Sequence, residues 1–311
     1  MSASKPVVVV GSIVQDCVSY TERFPKPGEA VRGHDFKLGS GGKGANQSVQ
    51  AAKLGASVTF VARVGNDVFG ESNIKSLREA GVNVEHIEKS ETAPTAAAII
   101  TVDSHGENTI VVALGANMEL SVERVNSLED LIKQAALVMV EYEIQEETSL
   151  AALKLARKNG VRTFYNAAPG HPDMRKDLLQ YTDILCTNEN ETEFIVGRHL
   201  STLEDFTVAA KECLELGPTT VVVTMGSRGV LVVTKDAAES FPVPKVKAID
   251  TTGAGDSFCG ALASLIATHP DELVAPLAKK AAQVAAISVQ RHGTQSSYPS
   301  LEEVRAAGVE I

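Results

Sequence analysis

Residues 253–256, Gly-Ala-Gly-Asp, combine two kinds of group that chemistry at a phosphate needs. The run from Ser257 to Thr268 predicts a helix, so the glycine turn before it would present free main-chain N–H groups and the positive end of the helix dipole. Asp256 places a carboxylate at the same point. Transfer of a phosphoryl group to an alcohol requires donors for the moving group and a base for the hydroxyl proton. The segment therefore predicts a kinase for a sugar-type alcohol, with Asp256 as the base and the Gly253, Ala254 and Gly255 region around the phosphoryl group.

A second glycine cluster, Gly39–Gly44 (GSGGKG), fits the G-x-G-x-x-G pattern of dinucleotide sites. It does not follow the first predicted strand, however, and Lys43 is followed by Gly44 where a P-loop has Ser or Thr. A helix beginning near Ala45 would present amide groups to a small polar ligand, with Lys43 and Asn46 adding side-chain hydrogen bonds. A purely structural glycine turn is the alternative interpretation.

Several predicted strands end in polar residues or glycines. In a parallel sheet, ligands bind beyond the carboxyl ends of the strands. We therefore expect these residues to meet at one site, although each alone is also compatible with a solvated loop. They are Glu143 after strand 136–140, Asn188 and Glu191 after strand 183–186, Thr224 and Gly226 after strand 219–223, and Asp16 a short distance after the first strand.

The elements that position these residues follow a repeated order of helix, glycine and β-branched strand. Gly55, Gly81, Gly160 and Gly217 fit the left-handed residue that ends a helix. Alternating helices and buried strands predict one α/β domain over residues 1–311, with a mostly parallel sheet covered by helices on both faces. Residues 15–40 and 95–113 lack helices and predict a small second sheet that acts as a lid, or else two surface hairpins.

Composition excludes several classes of protein. The chain has 311 residues, 44% of them hydrophobic, and a net charge of −10, which argues against nucleic-acid and acidic-membrane binding. The four cysteines and seven histidines show no zinc spacing, so we expect reduced thiols and structural histidines. The apolar run near the start is too short for a signal peptide. We expect a cytoplasmic protein, with the nucleus left open.

The segments GGKGANQSVQAAKLGA and DTTGAGDSFCGAL resemble the two signature segments of the ribokinase (PfkB-type) family of sugar kinases. The similarity runs from VVVVGS to HGTQSSYP. The tail GTQSSYP, with Asp16, Gly41, Gly42, Lys43, Asn46 and Glu143, resembles the ribose-phosphorylating members rather than the adenosine or fructose kinases. The resemblance implies a three-layer α/β domain whose small β-sheet lid also pairs two subunits in a homodimer.

The resemblance also implies ATP-dependent phosphorylation of the 5-hydroxyl of D-ribose, with Asp256 as base. It implies that Asn188 and Glu191 act in Mg²⁺ and phosphate binding, and that a K⁺ ion binds beside the anion site. Our own hypothesis is that main-chain carbonyls hold most of this ion, which orders the loop 250–256. The implied sugar-binding residues are Ser12, Val14, Asp16, Gly41, Gly42, Lys43, Gly44, Asn46, Glu143 and Asp256. The implied nucleotide-binding residues are Asn188, Glu191, Thr224, Gly226, Ser227, Gly229, Gly255 and Ala282. The implied K⁺ site comprises Asp250, Thr252, Ser288, Arg291, Gly293 and Ser297.

Two positions depart from the family pattern. Val14 replaces an Asn that many bacterial members carry, which removes one hydrogen bond to the sugar, and Ala282 replaces a polar residue at the implied adenine pocket. Three other functions stay open: a kinase of the same family acting on 2-deoxyribose, fructose or a nucleoside, a catalytically silent sugar-binding relative, and an NAD-dependent oxidoreductase supported only by GSGGKG.

Overall fold

The computed structural model describes residues 5–311. The strands are β1 Val7–Val10, β2 Val14–Thr21, β3 Gly33–Gly41, β4 Val58–Gly65, β5 Asn83–Ser90, β6 Ala96–Val102, β7 Asn108–Ala113, β8 Leu137–Val140, β9 Arg162–Asn166, β10 Ile184–Asn188, β11 Thr220–Thr224, β12 Val230–Thr234 and β13 Ala238–Phe241. The helices are α1 Lys43–Lys53, α2 Val68–Glu79, α3 Val122–Asn126, α4 Glu129–Lys133, α5 Glu146–Lys158, α6 Glu189–Val196, α7 Leu203–Leu214, α8 Ala254–Thr268, α9 Val274–Ser288 and α10 Leu301–Ala306.

The large sheet has nine strands in the order β13-β12-β11-β10-β9-β8-β1-β4-β5. The pairs from β11 through to β5 are parallel, and β12 and β13 are added antiparallel at one edge. The prediction of a mostly parallel sheet is confirmed. Because β1 is an interior strand between β8 and β4, the segment that leaves β1 emerges beside the end of β8.

Helices cover both faces of this sheet. Successive side chains of a strand point to opposite faces, and β1 is buried on both. Val7 and Val9 belong to a core shared with α1, α8 and α9, whereas Val8 and Val10 belong to a second core shared with α5 and α7. The three-layer α/β architecture is confirmed.

The two helix-free stretches form a four-stranded sheet in the order β3-β2-β6-β7. We call its two sides the inner and the outer face, and residues paired directly across strands share a face. The inner face carries Val14, Asp16, Ala96 and Ala98. The outer face carries Phe36, Leu38, Ile99 and Val111. Asp16 therefore lies within β2 rather than in a loop after β1, because the chain re-enters extended structure at Val14.

Two helices begin earlier than the sequence indicates. α8 begins at Ala254 and α1 at Lys43, so Ala254 and Gly255 are helical rather than parts of a flexible turn. The chain enters α8 through Gly253, whose φ is 73°, and a Cβ there would lie 2.6 Å from the Tyr298 hydroxyl. Gly42 precedes α1 with φ 91°, and a Cβ there would lie 2.7 Å from the main-chain nitrogen of Val14. Both entry turns thus require glycine.

No helix within residues 5–311 is both long and apolar enough to cross a lipid bilayer.

Candidate active site

Asp256 lies in the first turn of α8 with 7% of its surface exposed. Its Oδ2 accepts a hydrogen bond of 2.9 Å from Nδ2 of Asn46, and its Oδ1 accepts one of 2.9 Å from Nε2 of Gln47. Both donors are neutral carboxamides at consecutive positions of α1. The carboxylate is therefore held in one orientation at the junction of the two helices.

The main chain around Asp256 offers unused donors. Among residues 5–311, the amides of Gly253, Gly255 and Asp256 find no acceptor, whereas the amide of Ala254 donates to the Thr251 carbonyl over 3.2 Å. They border a cavity of about 200 Å³ to which Lys43, Glu191 and Asp256 contribute. Free amides at the positive end of a helix suit an anion such as a phosphate.

A second group of side chains converges where β1 and β8 end. Glu143 Oε2 accepts hydrogen bonds from Oγ of Ser12 over 2.7 Å and from the main-chain nitrogen of Lys43 over 2.9 Å. Glu141, 1% exposed, accepts from the main-chain nitrogens of Ser12, over 2.6 Å, and Glu143. Gly44 closes the group, because its amide donates to Oγ of Ser12 over 3.3 Å. The Glu141 carboxyl thus fixes two predicted sugar-binding residues.

The small sheet brings Asp16 to the same site. Burial raises the pKa of Asp16 to about 6, with Glu143 and Asp256 adding repulsion. A Cβ on Gly41, which pairs with Val14 across β2 and β3, would lie 2.5 Å from Asp16 Oδ2, so the glycine leaves room for this carboxyl. Val14 packs against Ala96 and Ala98 and offers no hydrogen-bond donor.

Lys43 balances these acids. Burial lowers the pKa of its ammonium group, but the carboxylates of Asp256, Glu143, Glu191 and Glu141 outweigh that effect and raise the pKa above its usual value. Lys43 is therefore positively charged where the sugar-side acids and the anion cavity meet.

The predicted nucleotide residues lie in three places. Asn188 and Glu191 form a capping box at the start of α6, with Asn188 Oδ1 accepting from the Glu191 amide over 2.8 Å and Glu191 Oε2 accepting from the Asn188 amide over 2.7 Å. Both residues line the cavity, as does Thr224 at the end of β11. Burial raises the pKa of Glu191 to about 7.

Gly255 also lines the cavity, whereas the other four predicted nucleotide residues do not. Gly226, Ser227 and Gly229 form the turn between β11 and β12. Ala282 is 6% exposed and packs in the apolar core on α9. Their roles in nucleotide binding stay predictions.

The residues of the predicted K⁺ site lie in two segments that contact each other. Asp250 accepts hydrogen bonds of 2.9 Å from the amides of Thr252 and Gly293, and Tyr298 Oη donates to the Gly253 carbonyl over 3.0 Å. The carbonyl of Ser288 is engaged by the Arg291 amide. Within residues 5–311, the carbonyls of Thr252, Arg291 and Gly293 accept no hydrogen bond. Ser297 is buried and donates from Oγ to the Thr294 carbonyl.

Sequence reasoning did not identify Gln47 and Glu141. Gln47 follows Asn46 in GGKGANQ and Glu141 precedes Glu143 in VEYE, so both lie beside predicted site residues. A carboxamide next to Asn46 is a weak signal of a site residue, because whether the Gln47 side chain reaches Asp256 depends on how α1 packs against α8. The E-x-E pattern at a strand end was the better signal for Glu141.

Residues 4–301 match the profile of the pfkB family carbohydrate kinase. Mouse ribokinase is 42% identical over 307 residues, covering 97% of this chain and 94% of the mouse protein. A deoxyribokinase of Salmonella typhi is 36% identical over 297 residues, covering 96% of each chain. The structure of Arabidopsis thaliana ribokinase complexed with ribose and ATP superposes with a TM-score of 0.90 at 30% identity, covering 97% of this chain and 98% of that one. The chain belongs to the pfkB family of carbohydrate kinases.

Proposed function

We propose that this protein phosphorylates D-ribose at O5 with ATP, giving ribose 5-phosphate and ADP. The observation that carries the proposal is the position of Asp256. It accepts a hydrogen bond from Asn46, a predicted sugar-binding residue on α1, and it lies in the first turn of α8, where the free amides are. The relatives supply the substrate class, because a ribokinase shares 42% identity over nearly the whole chain.

In the proposed reaction, Asp256 accepts the proton of the 5-hydroxyl as O5 attacks the γ-phosphorus of ATP. The O5–P bond forms while the bond between the γ-phosphorus and the β–γ bridging oxygen breaks, and ADP leaves. The free amides of Gly253, Gly255 and Asp256 and the ammonium group of Lys43 stabilise the charge on the moving phosphoryl group.

The sugar hydroxyls would be bound by groups that the two sheets bring together. Asp16 on β2 and Glu143 after β8 accept hydrogen bonds, and Lys43 and Asn46 donate them. The remaining residues of the proposed sugar site surround these groups; they are Ser12, Gly41, Gly42 and Gly44. Asn46 keeps its Oδ1 engaged with Nε2 of Gln295 at 3.0 Å, which leaves the Asn46 amide group as the part that faces Asp256.

Two metal ions complete the proposal. Mg²⁺ binds largely through substrate phosphates, so Asn188 and Glu191 need supply only outer contacts; residues 5–311 contain no cluster of three or more His, Cys, Asp or Glu side chains that could hold a metal alone. The unengaged carbonyls of Thr252, Arg291 and Gly293 suit a large monovalent cation, and we propose that K⁺ binds them and orders the loop before α8.

A second candidate substrate is 2-deoxyribose. Val14 lies on the inner face beside Asp16 and presents only methyl groups, and a deoxyribokinase is among the relatives. A site that cannot hydrogen-bond a hydroxyl discriminates weakly against the sugar that lacks it.

The test is ADP release measured with ribose, 2-deoxyribose, fructose and adenosine, each with and without K⁺. We expect kcat/KM for ribose to exceed that for fructose and adenosine by at least about a hundredfold, with 2-deoxyribose within about tenfold. Equal rates for ribose and fructose would contradict the proposed specificity. Undiminished activity when a large organic cation replaces K⁺ would contradict the K⁺ site.

We further propose that the protein is a homodimer paired through the outer face of the small sheet, and that it acts in the cytoplasm. Leu38, Ile99 and Val111 lie in register across that face and are 57%, 56% and 72% exposed. Phe36, on the same face, is 58% exposed. A second copy of the chain would remove this apolar surface from water.

A further inference from the structure

The side chain of Gln47 is fully buried between the proposed base and the large sheet. Its Nε2 donates to Asp256 Oδ1 over 2.9 Å and to Asn166 Oδ1 over 2.9 Å, which uses both amide protons. Its Oε1 accepts no hydrogen bond from any residue between 5 and 311. The orientation of this amide is therefore set by the two bonds that it donates.

Asn166 connects this contact to the scaffold. It ends β9, and its Nδ2 donates to the carbonyl of Cys186 on β10 over 3.3 Å. The chain of contacts runs from the sheet through Asn166 and Gln47 to Asp256. The other carboxylate oxygen of Asp256, Oδ2, accepts a hydrogen bond from Asn46.

We infer that Gln47 is a positioning residue for the kinase reaction, holding Asp256 Oδ1 so that the carboxylate keeps its direction toward the acceptor hydroxyl. The inference rests on the proposed function, because it assigns Gln47 a role through Asp256. Correct placement of a catalytic base matters to within an ångström.

Several groups face the Asp256 carboxylate besides the two carboxamides. Lys43 attracts it, while the carboxylates on β2 and α6 repel it. The hydrogen bonds from α1 therefore hold the Asp256 carboxylate in place against this repulsion. The titratable groups are Lys43 from α1, Asp16 from β2, Glu191 from α6, Cys259 from α8 itself and Tyr298 from the segment after α9.

Gln50 offers a matched control one turn further along α1. It is the same residue type and is equally buried, but its Nε2 donates to the Pro299 carbonyl over 3.1 Å and its Oε1 accepts from Oγ of Ser257 over 2.9 Å. It makes no hydrogen bond to Asp256. A loss of packing alone would affect both glutamines alike.

The experiment compares Gln47→Met and Gln50→Met, measuring kcat and the KM for ribose from about pH 5 to 9. Wild-type ADP release is recorded first, because its absence would contradict the proposed function and not the role of Gln47. We expect Gln47→Met to lower kcat by about ten- to hundredfold with KM within about threefold.

Gln50→Met should keep kcat within a few-fold of wild type, even where its thermal midpoint falls as far as that of Gln47→Met. Should Gln47→Met not fold, Gln47→Leu carries the same comparison with Gln50→Leu. Near-normal kcat in the Gln47 variant, or an equal loss of kcat in the Gln50 variant, overturns the inference.

Discussion

At the scale of single residues, the site gathers more carboxyl groups than cations. Burial raises the pKa of Glu141 to about 8, with Glu143 adding repulsion and the main-chain donors at Ser12 and Glu143 opposing it. Burial likewise raises the pKa values of Asp16 and Glu191. Because these pKa values exceed those of the same groups in an unfolded chain, the folded protein binds more protons between about pH 4 and 8.

We therefore predict that the free energy of unfolding falls as pH rises through this range. The stability linked to Glu141 is complete below its unfolded pKa and is lost as pH approaches 8, at a slope on the order of 1 kcal/mol per pH unit. Glu141→Gln should flatten this dependence, because an amide carbonyl can accept a hydrogen bond without titrating. Urea denaturation of both proteins at pH 5, 6, 7 and 8 provides the measurement. Parallel curves would show that Glu141 is ionised throughout.

Val14 sets a prediction about substrate choice at the same scale. Val14→Asn introduces a donor and acceptor on the inner face beside Asp16. We expect the preference for ribose over 2-deoxyribose, as a ratio of kcat/KM values, to rise by about ten- to hundredfold, since one added hydrogen bond contributes about 1–3 kcal/mol of discrimination. Val14→Leu, similar in shape to the Asn variant but without a hydrogen-bonding group, is a control for packing. An unchanged ratio in the Asn variant would place Val14 away from the sugar.

At the scale of elements, the apolar strands were predictable and the entry turns were not. The runs at β1, β8 and β11 are near-continuous and apolar, so periodicity alone identifies buried parallel strands. α8 begins earlier than the sequence predicts, because the Gly-Ala-Gly run is typical of a turn, whereas Gly253 alone makes the turn and the helix starts at Ala254.

The contacts inside the site could not be predicted in the same way. Glu141 meets the amide of Ser12, and Gln47 meets Asp256, only because distant segments of the chain are brought together by the sheet and by the packing of α1 on α8. Spacing along the sequence identifies residues near strand ends but not which of them touch. The family resemblance supplied the predicted roles that spacing could not.

The small sheet is predicted to become less mobile when the sugar binds. Asp16 and Val14 on its inner face border the proposed sugar site, so we expect bound ribose to hold β2 and β6 in place. Amide hydrogen exchange in 14–21 and 96–102 should slow by about tenfold or more with ribose, while exchange in β11 stays unchanged. Identical exchange in both segments with and without the sugar would contradict a lid.

At the scale of the whole molecule, the outer face of the small sheet is the surface that a second copy would cover. Leu38→Asp places a charge at the β3 end of the cross-strand row that runs through Cys17 and Ile99 to Val111. We expect the variant to sediment as a monomer of about half the wild-type mass, because burying an unpaired carboxylate is costly. Val208→Asp, at a 42% exposed position on α7, is the control and should leave the mass unchanged. A wild-type monomer at micromolar concentration would refute the proposed pairing.

The central claim is that Asp256 removes the proton of a sugar hydroxyl while main-chain amides of α8 hold the transferred phosphoryl group. The most direct test is single-turnover phosphorylation of ribose by Asp256→Asn, alongside ribose binding measured by calorimetry. The account predicts a rate lower by about 10²–10⁴ with the dissociation constant for ribose within a few-fold of wild type. Near-normal turnover by the Asn variant would contradict it.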